Sequence, residues 1–207
     1  MVNKYPSTLA RVELRRAGDV QESEKKFYRI LDVLDDKWHV WHSVEWDQDT
    51  RAQSGEIDYL IFQPNYGLLV IEVKGGTIVV KDNMFFSIDH AKKWHPITDP
   101  FYQARRSMHH VRECYEERAK DEPKSSKLLK ITGGFPLSFH SGVFFPDSPF
   151  KSDHDYLQYA FNRVFDEVDY RNQLDYLEDP KGRNSPLETF LMGLFNVYSR
   201  YREHKPA

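Results

Sequence analysis

Cysteine is almost missing from this sequence: Cys114 stands alone in 207 residues. That excludes a disulfide framework and any Cys-based zinc knuckle, and it fits a reducing compartment. Long apolar runs are missing too. The best of them, Leu68 to Val73, is interrupted by Glu72 and falls far short of the roughly 18 residues a membrane helix needs. The N-terminus (Met1-Val2-Asn3-Lys4-Tyr5-Pro6) lacks the apolar core of a secretory signal. Repeats, low-complexity tracts and a clean interdomain linker are absent as well. Gly75-Gly76 and Gly133-Gly134 lack the Gly-Lys-Ser/Thr ending of a phosphate loop and read as turns. The expectation is a soluble, cytoplasmic, globular protein.

Aromatic residues are plentiful, with 14 Phe, 12 Tyr and 4 Trp, and apolar residues make up 40% of the chain. Such a chain has ample apolar surface to offset its ordering entropy, which argues against disorder. At this length folding buries roughly 70% of the unfolded surface, so no metal or disulfide staple is needed. The net charge is −3 and looks unfriendly to nucleic acid, but it is unevenly spread. Residues 1–73 carry −4, residues 74–144 carry +4 and residues 145–207 carry −3. A basic middle between acidic ends can present a positive face to a polyanion, or it can be ordinary variation.

Residues 22–35 read as an amphipathic helix, with Phe27, Ile30, Leu31 and Leu34 on one face. His39 to Trp46 alternates like a strand, setting Val40, His42 and Val44 against Trp41, Ser43 and Glu45. Ile57 to Phe62 and Leu68 to Lys74 are strands joined by the turn Pro64-Asn65-Tyr66-Gly67. Thr77 to Ile88 reads as a second hairpin turning at Asp82-Asn83. Asp99-Pro100 caps a helix whose buried face carries Ala104, Met108, Val111 and Tyr115, and which ends before Pro123. Ser138 to Phe145 reads as a strand, and residues 156–168 fit strand or helix equally. Ser185-Pro186-Leu187-Glu188 opens a last helix running to about Tyr201. This order predicts a mixed sheet flanked by helices.

Asp58, Glu72 and Lys74 are the residues out of place. Glu72 and Lys74 share one face of a strand that is otherwise Leu, Leu, Val, Ile and Val, as a buried central strand is. If the turn is a three- or five-residue loop centred on Asn65, Asp58 falls opposite Glu72, with side chains about 5 Å apart. A two- or four-residue loop shifts the pairing by one. Ionised groups there cost several kcal/mol each unless paired or bound to a metal. Two adjacent carboxylates favour a shared hard cation such as Mg²⁺ or Mn²⁺, which can generate a nucleophile beside a lysine. The alternative is a buried Glu72–Lys74 ion pair with Asp58 capping the strand end.

Glu56-Ile57-Asp58, the turn, then Leu68-Leu69-Val70-Ile71-Glu72-Val73-Lys74 resembles the D…E-x-K core of the PD-(D/E)XK nuclease superfamily. It is most similar to the nuclease-related domain (NERD) family. Glu24-x-x-Phe27-x-x-x-Leu31 is similar to that family's first-helix motif. Trp94 followed by Asp99-Pro100-Phe101-Tyr102-Gln103 resembles its aromatic and "N-P-x-x-Q" opening of the second main helix, with Asp99 where Asn is more usual. Val143-Phe144-Phe145-Pro146 resembles the strand that follows.

The resemblance implies a restriction-endonuclease-like α/β core: a central mixed β-sheet flanked by helices, with a helical C-terminal extension. Residues 1–150 would form the core and residues 151–207 the extension. It implies Asp58 and Glu72 as metal ligands for Mg²⁺ or Mn²⁺, Glu24 as a further ligand or orienter of water, Lys74 as the catalytic lysine and Gln103 as a hydrogen-bonding partner in the site. Glu22 is a weaker candidate, because its spacing to Phe27 is wrong. Lys92, Lys93, Arg105, Arg106 and His109 would contact the DNA backbone, which positions a strand without reading sequence. They also fit a solvated helix face interleaved with Glu113, Glu116 and Glu117. His110 and Cys114 lack a third soft ligand for zinc. The implied activity is metal-dependent hydrolysis of DNA phosphodiester bonds. A helicase-type domain in cis or in trans, and a dimer, are compatible with it. The alternative from a different class is a catalytically inactive nucleic-acid-binding or partner-docking module of the same fold.

Overall fold

Strand alternation and one short turn set the centre of the molecule. β3 (Gly55–Gln63) and β4 (Gly67–Val73) are joined through Pro64-Asn65-Tyr66, and their antiparallel register runs from Gln63↔Gly67 to Tyr59↔Ile71. This is the three-residue loop centred on Asn65. The coordinates are a computed structural model, which describes residues 1–8, 21–46, 55–124, 127, 137–150, 163–180 and 182–196.

Around this hairpin a six-stranded mixed sheet is built. β1 (Asn3–Tyr5) lies parallel to β2 (His39–Trp46), and β2 is antiparallel to β3. On the other side β4 pairs in parallel with β8 (Phe139–Phe145), which pairs in parallel with β9 (Val164–Asp166). A parallel neighbour requires a crossover connection, and a long helix lies in the β4-to-β8 crossover. A separate antiparallel meander consists of β5 (Thr77–Lys81), β6 (Met84–Ile88) and β7 (Trp94–Ile97). The β5–β6 turn puts Asp82 and Asn83 at φ of 50° and 60°, the left-handed pair that a two-residue hairpin demands.

α1 (Glu22–Ile30) covers one face of the sheet. It was expected to reach residue 35, but it tightens into a 3-10 turn at Leu31–Val33, closed by Leu34 N–H to Leu31 C=O. Phe27, Ile30 and Leu31 pack with Val40, Tyr59, Ile61, Leu69, Ile71, Val73 and Phe144. The same core takes Leu187, Leu191, Leu194 and Phe195 from α4 (Pro186–Asn196). α2 (Pro100–Asp121) covers the opposite face, setting Ala104 against Ile57 and Val70, with Met108 and Val111 beside them. Its cap is the expected one: Asp99 Oδ1 accepts the Phe101 N–H at 2.8 Å and the Tyr102 N–H at 3.2 Å. The meander packs Ile78, Val80 and Phe85 onto Val143 and Phe145 of β8.

α3 (Glu167–Glu178) starts from a reciprocal cap between Asp166 and Asp169. In the segment that fitted strand or helix, residues 164–166 are strand and Glu167 begins the helix, because Asp166 caps it. Residues 156–162, the Gly133-Gly134 turn and the last helix beyond residue 196 lie outside the described residues. Ser185 Oγ accepts the Glu188 N–H at 3.2 Å, as the capping box anticipates. The structure is α/β, with a mixed central sheet flanked by helices. Among the described residues no helix is long and apolar enough to cross a membrane.

His140 on β8 makes this core sensitive to acid. It is buried with its ring edge-on to Phe195, and burial, helped by Arg163, lowers it to about 4. The folded state therefore binds fewer protons than the unfolded chain between about pH 4 and 6.5, so stability falls as pH falls through that window. Urea titrations at pH 7 and pH 4 should show the wild type losing up to about 3 kcal/mol more than His140→Gln. Equal losses in the two proteins would refute this.

Candidate active site

Asp58, Glu72 and Lys74 meet where β3 and β4 part. β4 runs between β3 and β8, and Glu72, opposite Val143 in the parallel ladder, is only 3% exposed. By strand alternation Glu72 shares the face of Val70, the face that α2 covers. Lys74 lies one step past the strand end, held by its N–H to Phe144 C=O at 3.0 Å. Its Nζ is 2.7 Å from Glu72 Oε1.

Asp58 has left the regular ladders. Pairing with β4 ends at Tyr59↔Ile71, one step before Asp58 would meet Glu72. Pairing with β2 passes from His42↔Tyr59 to Val44↔Ile57, skipping Ser43 and Asp58, and Ser43 is left-handed at φ 56°. A non-glycine residue held there marks a deliberate distortion, as bulges beside active sites do. In place of a ladder bond, Asp58 Oδ2 accepts the Val73 N–H at 2.7 Å.

The electrostatics of the three groups are coupled. Burial first, and then the Glu72 charge, push Asp58 up to about 8 against the pull of Lys74 and the Val73 N–H. Burial raises Glu72 as well, with Lys74 opposing. For Lys74 burial acts downward, but Glu72 and Asp58 outweigh it and the ammonium is stabilised. Two carboxylates that burial drives toward protonation are a donor set that a hard divalent cation would hold ionised, so these oxygens fit Mg²⁺ or Mn²⁺. Among the described residues no three His, Cys, Asp or Glu side chains converge to hold a metal. A two-carboxylate site suits Mg²⁺, which keeps several waters and uses one or two carboxylates.

The charge of Glu24, on α1, is felt at this cluster and raises Asp58, Glu72 and Lys74. Its Oε2 lies 2.7 Å from His42 Nε2, and its backbone carbonyl accepts the Tyr59 hydroxyl at 2.7 Å. Glu22 lies apart from the cluster, exposed and paired with Arg29 at 2.9 Å. Gln103 is half-buried in the first turn of α2, next to Ala104. Among the described residues its side chain makes no hydrogen bond to Lys74 or the carboxylates. Arg105, Arg106 and His109 are exposed on α2, and Lys92 and Lys93 are exposed in the β6–β7 turn. Lys93 N–H is fixed by Asp89 Oδ1 at 2.9 Å. His110 and Cys114 form a 3.2 Å contact with each other.

Sequence reasoning missed two supports. His42 carried a weak signal, a polar residue on the apolar side of β2 between Val40 and Val44. Asp147 carried none. It is 71 residues from Gly76, whose N–H its Oδ2 accepts at 2.8 Å, and it also pairs with Lys26 of α1. Asp147 thus ties the turn that follows Lys74 to the helix that carries Glu24.

No curated protein matches this chain, and no solved structure does. The sequence model of the nuclease-related domain, NERD, matches residues 19–146. That span starts just before α1 and ends just after β8, so it holds Glu24, Asp58, Glu72, Lys74 and Gln103 and leaves out β9, α3 and α4. With well over half its length matched in this way, the chain belongs to the nuclease-related domain family.

Proposed function

We propose that this protein is a divalent-metal-dependent nuclease that hydrolyses DNA phosphodiester bonds. The observation that carries the proposal is the buried Asp58–Glu72–Lys74 cluster at the parting of β3 and β4, inside the span matched by the family. Asp58 and Glu72 would hold Mg²⁺ or Mn²⁺, which when bound supplies Lewis acidity to a phosphate oxygen and acidifies a water. Lys74, kept charged by both carboxylates, is within reach to orient the attacking water or to offset the charge gathering on phosphorus. Glu72 holds Lys74 by its Oε1, which fixes the ammonium at the strand end.

Gln103 would contribute a hydrogen bond from the first turn of α2. Arg105, Arg106, His109, Lys92 and Lys93 would meet backbone phosphates, giving affinity with little sequence preference. Residues 1–150 would form the nuclease core and residues 151–207 an extension on it. The second reading, a nucleic-acid-binding module without catalysis, is favoured by the lack of a three-ligand cluster among the described residues.

DNA cleavage with Mg²⁺ or Mn²⁺ separates the two. Cleavage should appear with either cation, vanish in EDTA, and vanish in Asp58→Ala, Glu72→Ala and Lys74→Ala. DNA binding without cleavage under any cation would establish the second reading, and cleavage that survives all three substitutions would remove the site.

A further inference from the structure

His42 is placed where a strand residue facing the core is normally apolar. Its neighbours on that side of the sheet are Val40 and Tyr59, and its ring stands edge-on to Tyr59 with centroids 4.7 Å apart. The side chain is 1% exposed and its Nδ1 has no hydrogen-bond partner among the described residues. Burying an imidazole in such a wall costs free energy that one hydrogen bond must offset. That bond is Nε2 to Glu24 Oε2, at 2.7 Å. An ionised carboxylate only accepts, so the ring N–H donates.

The Glu24 carboxylate is held at two levels. The Tyr59 hydroxyl bonds the Glu24 carbonyl at 2.7 Å and fixes this turn of α1 against β3. His42 then holds the side-chain carboxylate itself, at 2.7 Å, and so restrains its torsions. The neighbouring residues support the same end of α1: Asp147 links Lys26 of the helix to the Gly76 N–H, two residues past Lys74. The field of Glu24 acts on Asp58, Glu72 and Lys74 alike.

We propose that His42 is a positioning residue for the cation site: it locks the Glu24 carboxylate in the first turn of α1, and so sets how tightly Asp58 and Glu72 take a divalent cation. This rests on the metal-dependent reading above. His42 touches neither cation nor substrate. It acts through Glu24, as outer-shell partners that orient a site's carboxylates do, and losing such a partner typically weakens metal binding 10- to 100-fold.

Calorimetric titration of the full chain with Mn²⁺, without DNA, tests this apart from activity. Wild-type protein should bind Mn²⁺, and Asp58→Ala with Glu72→Ala should abolish the binding. His42→Leu should bind about 10-fold more weakly. His42→Gln, whose amide can donate at nearly the same reach, should stay within about 3-fold of wild type. Glu24→Ala, which removes the acceptor altogether, should weaken binding at least as much as His42→Leu, and the double variant should be no weaker than Glu24→Ala alone, because His42 acts only through that carboxylate. Thermal melts check that each variant is folded; if His42→Leu is not, His42→Asn, too short to reach Glu24, takes its place. Wild-type affinity in the variant without the donor overturns the inference and leaves the nuclease reading standing, as do additive losses in the double variant. Absence of any Mn²⁺ binding that depends on Asp58 and Glu72 overturns both.

Discussion

Lys74→Ala is expected to lower metal-dependent DNA cleavage by about 10³-fold, the usual cost of removing one group that meets charge developing in the transition state. Glu72→Ala should do at least as much, because it removes a carboxylate of the proposed cation site and the partner that fixes Lys74 at 2.7 Å. Asp58→Asn separates chemistry from stability. Asparagine keeps an acceptor for the Val73 N–H but brings no charge into a site where burial and Glu72 hold the aspartate up at about 8. Between about pH 4 and 8 the folded protein carries more protons at Asp58 than the unfolded chain does. Wild-type stability therefore falls as pH rises through that window. Without added metal, Asp58→Asn should be the more stable protein at pH 8, by about 1–2 kcal/mol, while cleaving at background level. Urea unfolding at pH 5 and pH 8, beside a plasmid-nicking assay, reads both halves. A variant less stable than wild type at pH 8 would show that Asp58 supports the fold, not the site.

The other large effect belongs to Gly67. It closes the β3–β4 turn opposite Gln63 at φ +127°, in a region that side chains rarely enter. A Cβ there would lie 2.1 Å from the Ser138 carbonyl oxygen and 2.8 Å from its carbon, all backbone. The same carbonyl accepts the Leu68 N–H at 2.9 Å, where β4 first joins β8. Gly67→Ala must therefore either abandon its φ or push β8 away from β4 at the start of their parallel ladder. The expected loss is about 3 kcal/mol or more, from strain and overpacking together, or a melting temperature lower by about 6–12 °C for a chain of this size. Gly193 in α4 is the control. Among the described residues a Cβ there meets nothing within 4 Å, so Gly193→Ala should be neutral or stabilising by up to about 1 kcal/mol. Comparable melting curves for Gly67→Ala and wild type would refute the account.

Some of this was legible because the signals are local. Pro64, Asn65 and Tyr66 specify a short turn. The period-2 alternation on either side fixes which residues share a face, so the register placing Asp58 near Glu72 follows from a three-residue loop. Asp99-Pro100 and Ser185-Pro186-Leu187-Glu188 act within one helical turn of themselves, and the structure uses both as written. Glu72 and Lys74 stood out by contrast, two charges in an apolar strand, and contrast is visible without any tertiary information.

What was not legible depends on contacts far apart in the chain. β1 and β9 are three-residue strands with no pattern of their own, and they exist because β2 and β8 offer parallel edges to pair with. The distortion at Ser43 and Asp58, which takes the aspartate out of both ladders, came from the meeting of three strands. So did the Asp147 tie across 71 residues. The sequence by itself determined which side chains carry charge into an apolar sheet, and on which strand face they stand, because alternation and turns are short-range. Only the tertiary structure decided what those charges feel. Burial and neighbouring carboxylates set the protonation of Asp58, and His42 holds Glu24 in place. Desolvation and Coulomb interaction depend on distances that no stretch of consecutive residues specifies.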